Sequence, residues 1–166
     1  STATLATTLP VDAFANVIEN KKLKISLVGC GGRGSGAIVQ AMEADDNVEI
    51  ISMADVFSDR IEKSLNGIRE HFGNKKKINL KEKNIFVGFD SYKKAIDLCD
   101  VVILATPPGF RPLHFEYAID NGKHVFMEKP LATDATGVRR VLKSAQKAKE
   151  QRLNVVVGLQ LSLIHI

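Results

Sequence analysis

A doubly wound α/β fold, with a parallel sheet in the middle of a three-layer αβα sandwich, is predicted by three observations on this 166-residue chain. β-branched apolar runs alternate with stretches of helical periodicity along the chain. One run, Val101–Ala105, is apolar throughout, as a central parallel strand covered on both faces must be. A glycine cluster separates the first apolar run from the first helical stretch.

The elements follow in order. Lys24–Val28 is a short β-branched run that opens into the glycines, and 35–44 reads as a helix with Ile38, Ala41 and Met42 on one face. Val48–Ala54 is a second buried strand. Ile61, Leu65, Ile68 and Phe72 recur at i, i+4, i+7 and i+11, a helical stripe. After a lysine-rich loop comes a short strand at Ile85–Val87. Asp90 is placed to cap a helix through Tyr92, Ala95 and Ile96. Val101–Ala105 is broken by Thr106-Pro107-Pro108-Gly109. A helix from about Pro112 to Asp120 is stopped by Asn121-Gly122, and His124–Met127 is the fifth strand. Thr133 or Asp134 starts a long helix with Val138, Val141, Leu142, Ala145 and Ala148 facing inward, and 154–157 is the sixth strand.

Composition bounds the function classes. With 45% hydrophobic and 25% charged residues the chain is neither collagenous, nor a long disordered segment, nor a disulfide scaffold. Its length suits one domain with tails. No apolar run approaches the ~20 residues that span a bilayer. The net charge of +4 is local: Lys75, Lys76, Lys77, Lys81 and Lys83 against Glu82 account for it. A single solvated loop is no nucleic-acid footprint, so no nucleic-acid partner is expected. Two cysteines and four histidines show no metal-ligand spacing, and no metal is expected.

Both ends stand apart, with residues 1–22 reading as a signal-like or disordered arm. Residues 1–15 are small and apolar and end in Ala13-Phe14-Ala15 before Asn16, like the back half of an export signal, although Asp12 just before the cleavage point counts against it. The arm places the protein in the exported, periplasmic class if it is a signal and in the cytoplasm if it is not. Residues 161–166 (LSLIHI) follow a strand as an abrupt apolar tail and read as non-native, so no function is placed on His165. The nucleotide-binding domain is therefore expected over 23–160.

Gly29-Cys30-Gly31-Gly32-Arg33-Gly34 fits G-x-G-x-x-G, and Asp55 ends the next strand 21 residues on. A glycine motif of this form after a strand, before a helix and with an acid at this distance is a dinucleotide fingerprint. Gly29 permits the tight turn, Gly31 lets the backbone approach a pyrophosphate, and Gly34 lets the helix lie close to the strand. The helix N-terminus offers N–H groups and partial positive charge to the anion. Asp55 suits ribose hydroxyls and repels a 2′-phosphate, favouring NAD; Arg60 nearby softens that preference, so NADP stays open. The alternative for Asp55 is a helix cap, and Arg33 either lies over the cofactor or in solvent. Cys30 and Cys99 fall at opposite ends of parallel strands, on the order of 15 Å apart at ~3.3 Å per residue. They are predicted to be free thiols, since a disulfide needs Cα atoms within about 7 Å.

Thr106-Pro107-Pro108 after strand four and Glu128-Lys129-Pro130 after strand five share one sheet edge, where open α/β sheets bind ligands. Lys129 projects toward the nicotinamide in this reading, with partial burial tuning it to hold or relay a hydroxyl proton, and a cis bond is plausible before Pro130. The bland alternative is a surface ion pair of Glu128 with Lys129.

Together GCGGRG with Asp55, ATPP at 105–108, His114, the Asn121-Gly122-Lys123-His124 turn and EKP at 128–130 resemble the Gfo/Idh/MocA family, the relatives of glucose–fructose oxidoreductase and inositol dehydrogenase. The resemblance covers roughly 23–160. It implies a Rossmann domain followed by an α/β domain with an open, mostly antiparallel sheet that carries the substrate and mediates homo-oligomers. It implies hydride transfer between NAD(P) and a sugar, polyol or related hydroxy compound. In that frame Glu128 contacts the nicotinamide ribose, Lys129 is the catalytic or substrate-orienting lysine, Thr106 and Pro107 line the cofactor cleft, and His114 is structural. The chain stops where the family's substrate domain begins, so a fragment inactive by itself is expected. Two other functions are compatible with the same motifs: a glycoside hydrolase using tightly held NAD, and a dinucleotide-binding module without catalysis.

Overall fold

A computed structural model of the chain describes residues 22–73 and 78–159. The elements run β1 (Leu23–Val28), α1 (Gly32–Ala44), β2 (Val48–Asp55), α2 (Ser58–Phe72), a 3₁₀ turn (Glu82–Asn84), β3 (Ile85–Val87), α3 (Ser91–Leu98), β4 (Val101–Leu104), α4 (Arg111–Asp120), β5 (His124–Glu128), α5 (Ala135–Glu150) and β6 (Val155–Gly158). The six strands form one sheet in the order β3-β2-β1-β4-β5-β6, all parallel. This is the doubly wound arrangement predicted from the alternation of strand and helix.

Strand side chains alternate between two cores. Ile25, Leu27 and Ile103 face α1 and α2, where Ile38, Met42, Ile61 and Ile68 are buried. Val28, Val102, Leu104, Val125 and Met127 face α3, α4 and α5, around Ile96, Phe115 and Ile119. Each such side chain contributes roughly 1.5–3 kcal/mol by leaving water. Both faces of β4 are thus covered, which is why its sequence carries no polar residue.

Three local expectations change. The first helix begins at Gly32, not at 35, because the second half of the glycine motif is itself the first helical turn. Asp90 occupies the N-cap position of α3, but its carboxylate makes no cap bond and pairs with Lys93 at 2.7 Å. On α5 the buried positions are Val141, Ser144 and Ala148, while Val138, Leu142 and Ala145 are exposed. Val141 and Ala148 are buried as expected, but the stripe is completed by Ser144 and so is rotated away from Val138, Leu142 and Ala145 by roughly 60° of helix. Gly137 sets that rotation: a Cβ there would lie 3.1 Å from Pro112 of α4 and 3.0 Å from Ala132. Asp134 caps α5, accepting from the Gly137 N–H at 2.7 Å.

Cys30 and Cys99 are both free and buried, as expected. Among the described residues no helix is long and apolar enough to cross a membrane. The signal-like arm, the tail at 161–166 with His165, and Lys75, Lys76 and Lys77 lie outside the described residues.

Candidate functional site

Between β1 and β4 the strand order reverses, and the chain connections leave the sheet in opposite directions. Ligands of open α/β sheets bind outside the carboxyl ends of the strands at such a point. A cleft of about 510 Å³ opens there, lined by Gly29, Gly31, Asp55, Phe57, Arg60, Thr106, Pro107 and His114 among others.

The three motif glycines do different work. Gly29 has φ +93°, and a Cβ on it would stand 2.6 Å from the Thr106 backbone nitrogen. A Cβ on Gly34 would stand 2.1 Å from the Gly29 carbonyl oxygen, so α1 can rest on β1 only without one. Gly31 is unlike both: nothing lies within 4 Å of where its Cβ would be. Its missing side chain serves no contact within the protein and leaves the backbone open to the cleft. Gly31 is also the N-cap of α1, and no side chain caps that helix. First-turn N–H groups therefore remain available for an anion.

Asp55 is the last residue of β2. Its Oδ2 accepts from the Cys30 N–H at 2.7 Å and its Oδ1 from the Phe57 N–H at 3.0 Å. The N-cap of α2 is Phe57, so Asp55 is no helix cap. One bond to each oxygen leaves lone pairs free, since an ionised carboxylate accepts at about four positions. Cys30 contributes its backbone; its side chain is buried and its thiol lies 3.5 Å from the Ala54 carbonyl. Burial, reinforced by the Asp55 charge, pushes that thiol well above its ordinary range. Cys30 and Gly32 line an adjoining groove of about 420 Å³ between α1 and α2, and exposed Arg60 borders both spaces.

On the other side of the switch point, Thr106 Oγ1 lies 3.2 Å from His114 Nδ1. His114 is buried and stacked on Tyr92 with ring centroids 4.1 Å apart. Burial and the nearby Arg111 charge lower its pKa to about 4, so it is neutral at ordinary pH, in keeping with a structural role. Glu128 is the last residue of β5 and is buried. It does not pair with Lys129 but with Arg33, Nε to Oε1 at 2.7 Å. Arg33 is thus tethered by an ion pair while a third of its side chain stays exposed. Gly158 makes the space for the acid: a Cβ there would meet Glu128 Oε1 at 2.5 Å.

Lys129 is exposed, which corrects the expectation of partial burial, and it has no hydrogen-bond or ion-pair partner among the described residues. The Lys129-Pro130 bond is cis. Arg111 escaped the sequence reading. It is 3% exposed, and its guanidinium donates to the carbonyls of Thr106 and Pro130. An arginine beside the first proline of a helix gives no sequence signal for burial; only its tertiary partners do. Gly158 escaped for the same reason.

The residues present fit a dinucleotide: an open glycine backbone at an uncapped helix start for the diphosphate, and a strand-end carboxylate beside it for ribose hydroxyls. Comparison with known proteins agrees. The profile of the GFO_IDH_MocA family, described as an oxidoreductase family with an NAD-binding Rossmann fold, matches residues 23–157. A glycosyl hydrolase family 109 protein of Streptomyces coelicolor is 24% identical over 133 residues, which are 79% of this chain and 27% of that protein. The structure of myo-inositol 2-dehydrogenase from Lactobacillus plantarum superposes with a TM-score of 0.63 at 22% identity, over 83% of this chain and 36% of that one. The WlbA dehydrogenase from Bordetella pertussis, in complex with NADH and UDP-GlcNAcA, superposes with a TM-score of 0.59 at 24% identity, over 84% and 35%. The chain therefore spans about a quarter to a third of the length of these relatives. With the fingerprint, the strand order and the matched profile in agreement, this chain belongs to the Gfo/Idh/MocA family of oxidoreductases and is its NAD-binding Rossmann domain.

Proposed function

We propose that this domain holds the nicotinamide cofactor of a dehydrogenase that oxidises or reduces a CH–OH carbon of a sugar, polyol or related compound. The observation that carries the reading is the convergence on one sheet edge of the open glycine turn, Asp55, Thr106-Pro107 and Glu128-Lys129. The dinucleotide, when bound, supplies the hydride acceptor or donor at nicotinamide C4. The protein's residues bind and orient it. Gly31, Gly32 and the first turn of α1 take the diphosphate, with Gly29 and Gly34 shaping the turn and Cys30 lending its backbone. Asp55 takes the adenosine ribose hydroxyls, which favours NAD; Arg60 at the cleft border leaves NADP binding open. Thr106 and Pro107 form a wall of the cleft.

Glu128, paired with Arg33, faces the nicotinamide ribose. Lys129, one residue on, holds the substrate hydroxyl and takes or returns its proton as hydride moves. Its exposed position suits a side chain whose partner arrives from outside this domain: the substrate itself, seated by a further α/β domain that also mediates a homo-oligomer. Inositol and nucleotide-sugar relatives support the substrate class.

The test is expression of the full open reading frame containing this chain, assayed with NAD and a panel of polyols and sugars at 340 nm. Substrate-dependent NADH formation that Lys129→Ala abolishes supports the reading; turnover that survives Lys129→Ala refutes the lysine's role. A second reading, glycoside cleavage with NAD regenerated in each cycle, has the glycosyl hydrolase relative in its favour. It predicts glycoside cleavage without net NADH. A binding module without catalysis predicts neither.

A further inference from the structure

We propose that Arg111 is a positioning residue for the nicotinamide half of the site: its guanidinium ties the end of β4 to the turn after β5 and so sets the geometry in which Lys129 meets the cofactor. The inference rests on the dinucleotide reading above and adds a residue to it.

Arg111 is the first residue of α4, yet its side chain turns inward and is 3% exposed. Nη2 donates to the Thr106 carbonyl and Nη1 to the Pro130 carbonyl. One planar fork thereby joins two loops that belong to different strands, and both loops border the carboxyl edge. A fork with two parallel donors fixes a separation and an angle, which a single ammonium point charge does not. Thr106 is held twice from α4, its carbonyl by Arg111 and its hydroxyl by His114. Pro130 is the neighbour of Lys129, so whatever holds its carbonyl holds the lysine's backbone.

The arrangement is a poor choice for stability alone. Nε of Arg111 is buried and has no acceptor among the described residues. Burial disfavours the charge and lowers its pKa, while the Glu128 carboxylate works in the opposite direction. Burying a cation with incomplete bonding is unfavourable, and an apolar side chain of similar volume commonly does as well or better. What the arginine adds is a fixed relation between the loops at 106 and 130.

A doubly wound fold binds its dinucleotide in two mononucleotide halves. Asp55 and the glycine turn belong to the adenosine half, on β1 and β2; Arg111 bonds to neither. Its loss should therefore separate the two halves. This chain, as wild type, Arg111→Met and Arg111→Lys, is titrated calorimetrically with NADH and with ADP, which lacks the nicotinamide half. The expected result is an NADH Kd at least tenfold higher in Arg111→Met with the ADP Kd within twofold, and partial recovery of NADH affinity in Arg111→Lys. Equal losses for both ligands in either variant would make the arginine a general structural tie and overturn the proposal, as would unchanged NADH binding. If Arg111→Met does not fold, Arg111→Lys decides by the same criterion, a selective NADH loss of threefold or more. The wild-type titrations separate the two levels: a folded chain that binds neither NADH nor ADP sinks the dinucleotide reading itself, and the proposal with it, whereas binding of both with no selective loss in the variants overturns the proposal alone.

Discussion

Arg33 Nε lies 2.7 Å from Glu128 Oε1, joining the first turn of α1 to the last residue of β5 across 95 residues of sequence. The Glu128 side chain is 6% exposed and that of Arg33 33%. The acid has given up its water, while the arginine keeps part of its own. The pair links the glycine turn, on one side of the switch point, to the Glu128-Lys129-Pro130 segment on the other.

Removing the arginine leaves a buried carboxylate without its partner. Arg33→Ala is expected to cost on the order of 3 kcal/mol, and Arg33→Ala combined with Glu128→Gln much less than the sum of the two single changes. Urea unfolding of the four proteins measures the coupling. Strict additivity would show that the pair is not an energetic unit.

The glycines give a sharper contrast. Gly34→Ala drives a methyl into the Gly29 carbonyl and is expected to destabilise by about 3 kcal/mol or more. Gly31→Ala meets no protein atom and should change stability by less than about 0.5 kcal/mol. It should nonetheless weaken NADH binding at least tenfold, because its methyl enters the space left for the diphosphate. Thermal melts and NADH titrations of the two variants separate the roles; a Gly31→Ala protein that binds as wild type would remove Gly31 from the site.

His114 makes stability depend on pH. Its pKa is about 4 in the fold, below the ordinary 6.5, because burial and Arg111 disfavour the charged ring. Between those values the unfolded chain binds the extra proton, so stability is full above about pH 6.5 and falls as pH drops toward 4. The histidine's share is on the order of 3 kcal/mol. His114→Gln should flatten the difference in unfolding free energy between pH 7 and 4.5 by most of that amount, as read by urea unfolding. An unchanged slope would place the titration elsewhere.

Asp55 governs cofactor choice. Asp55→Ser keeps a small acceptor near the Cys30 N–H but removes the charge that opposes a 2′-phosphate. With Arg60 at the border of the cleft, the ratio of NADPH to NADH affinity should rise about tenfold, or 1.4 kcal/mol. A ratio that stays put would mean that the Asp55 charge does not face the ribose.

Much of this was legible in the residues. The strands are readable as apolar runs bounded by turn-forming residues, glycine or proline for most and Asp45-Asp46-Asn47 before β2, and the glycine motif with Asp55 marks the switch point. Positions that depend on packing between elements were not legible. Leu142 and Val138 looked inward by periodicity, but Gly137 against Pro112 turns α5 away from that face. For Glu128 the sequence leaves an ion pair with its neighbour Lys129 open as the bland alternative; the placement of α1 brings Arg33 to it instead. Arg111 carried no local signal, because its acceptors are backbone carbonyls on two loops.

Dinucleotide binding by this domain is tested most directly by titrating the chain with NADH, followed by nicotinamide fluorescence, with ADP as competitor. Saturable one-site binding that ADP displaces is expected, with Gly31→Val abolishing it while the protein still melts cooperatively. A folded chain that shows no saturable NADH binding, or binds equally well with valine at position 31, would contradict this reading.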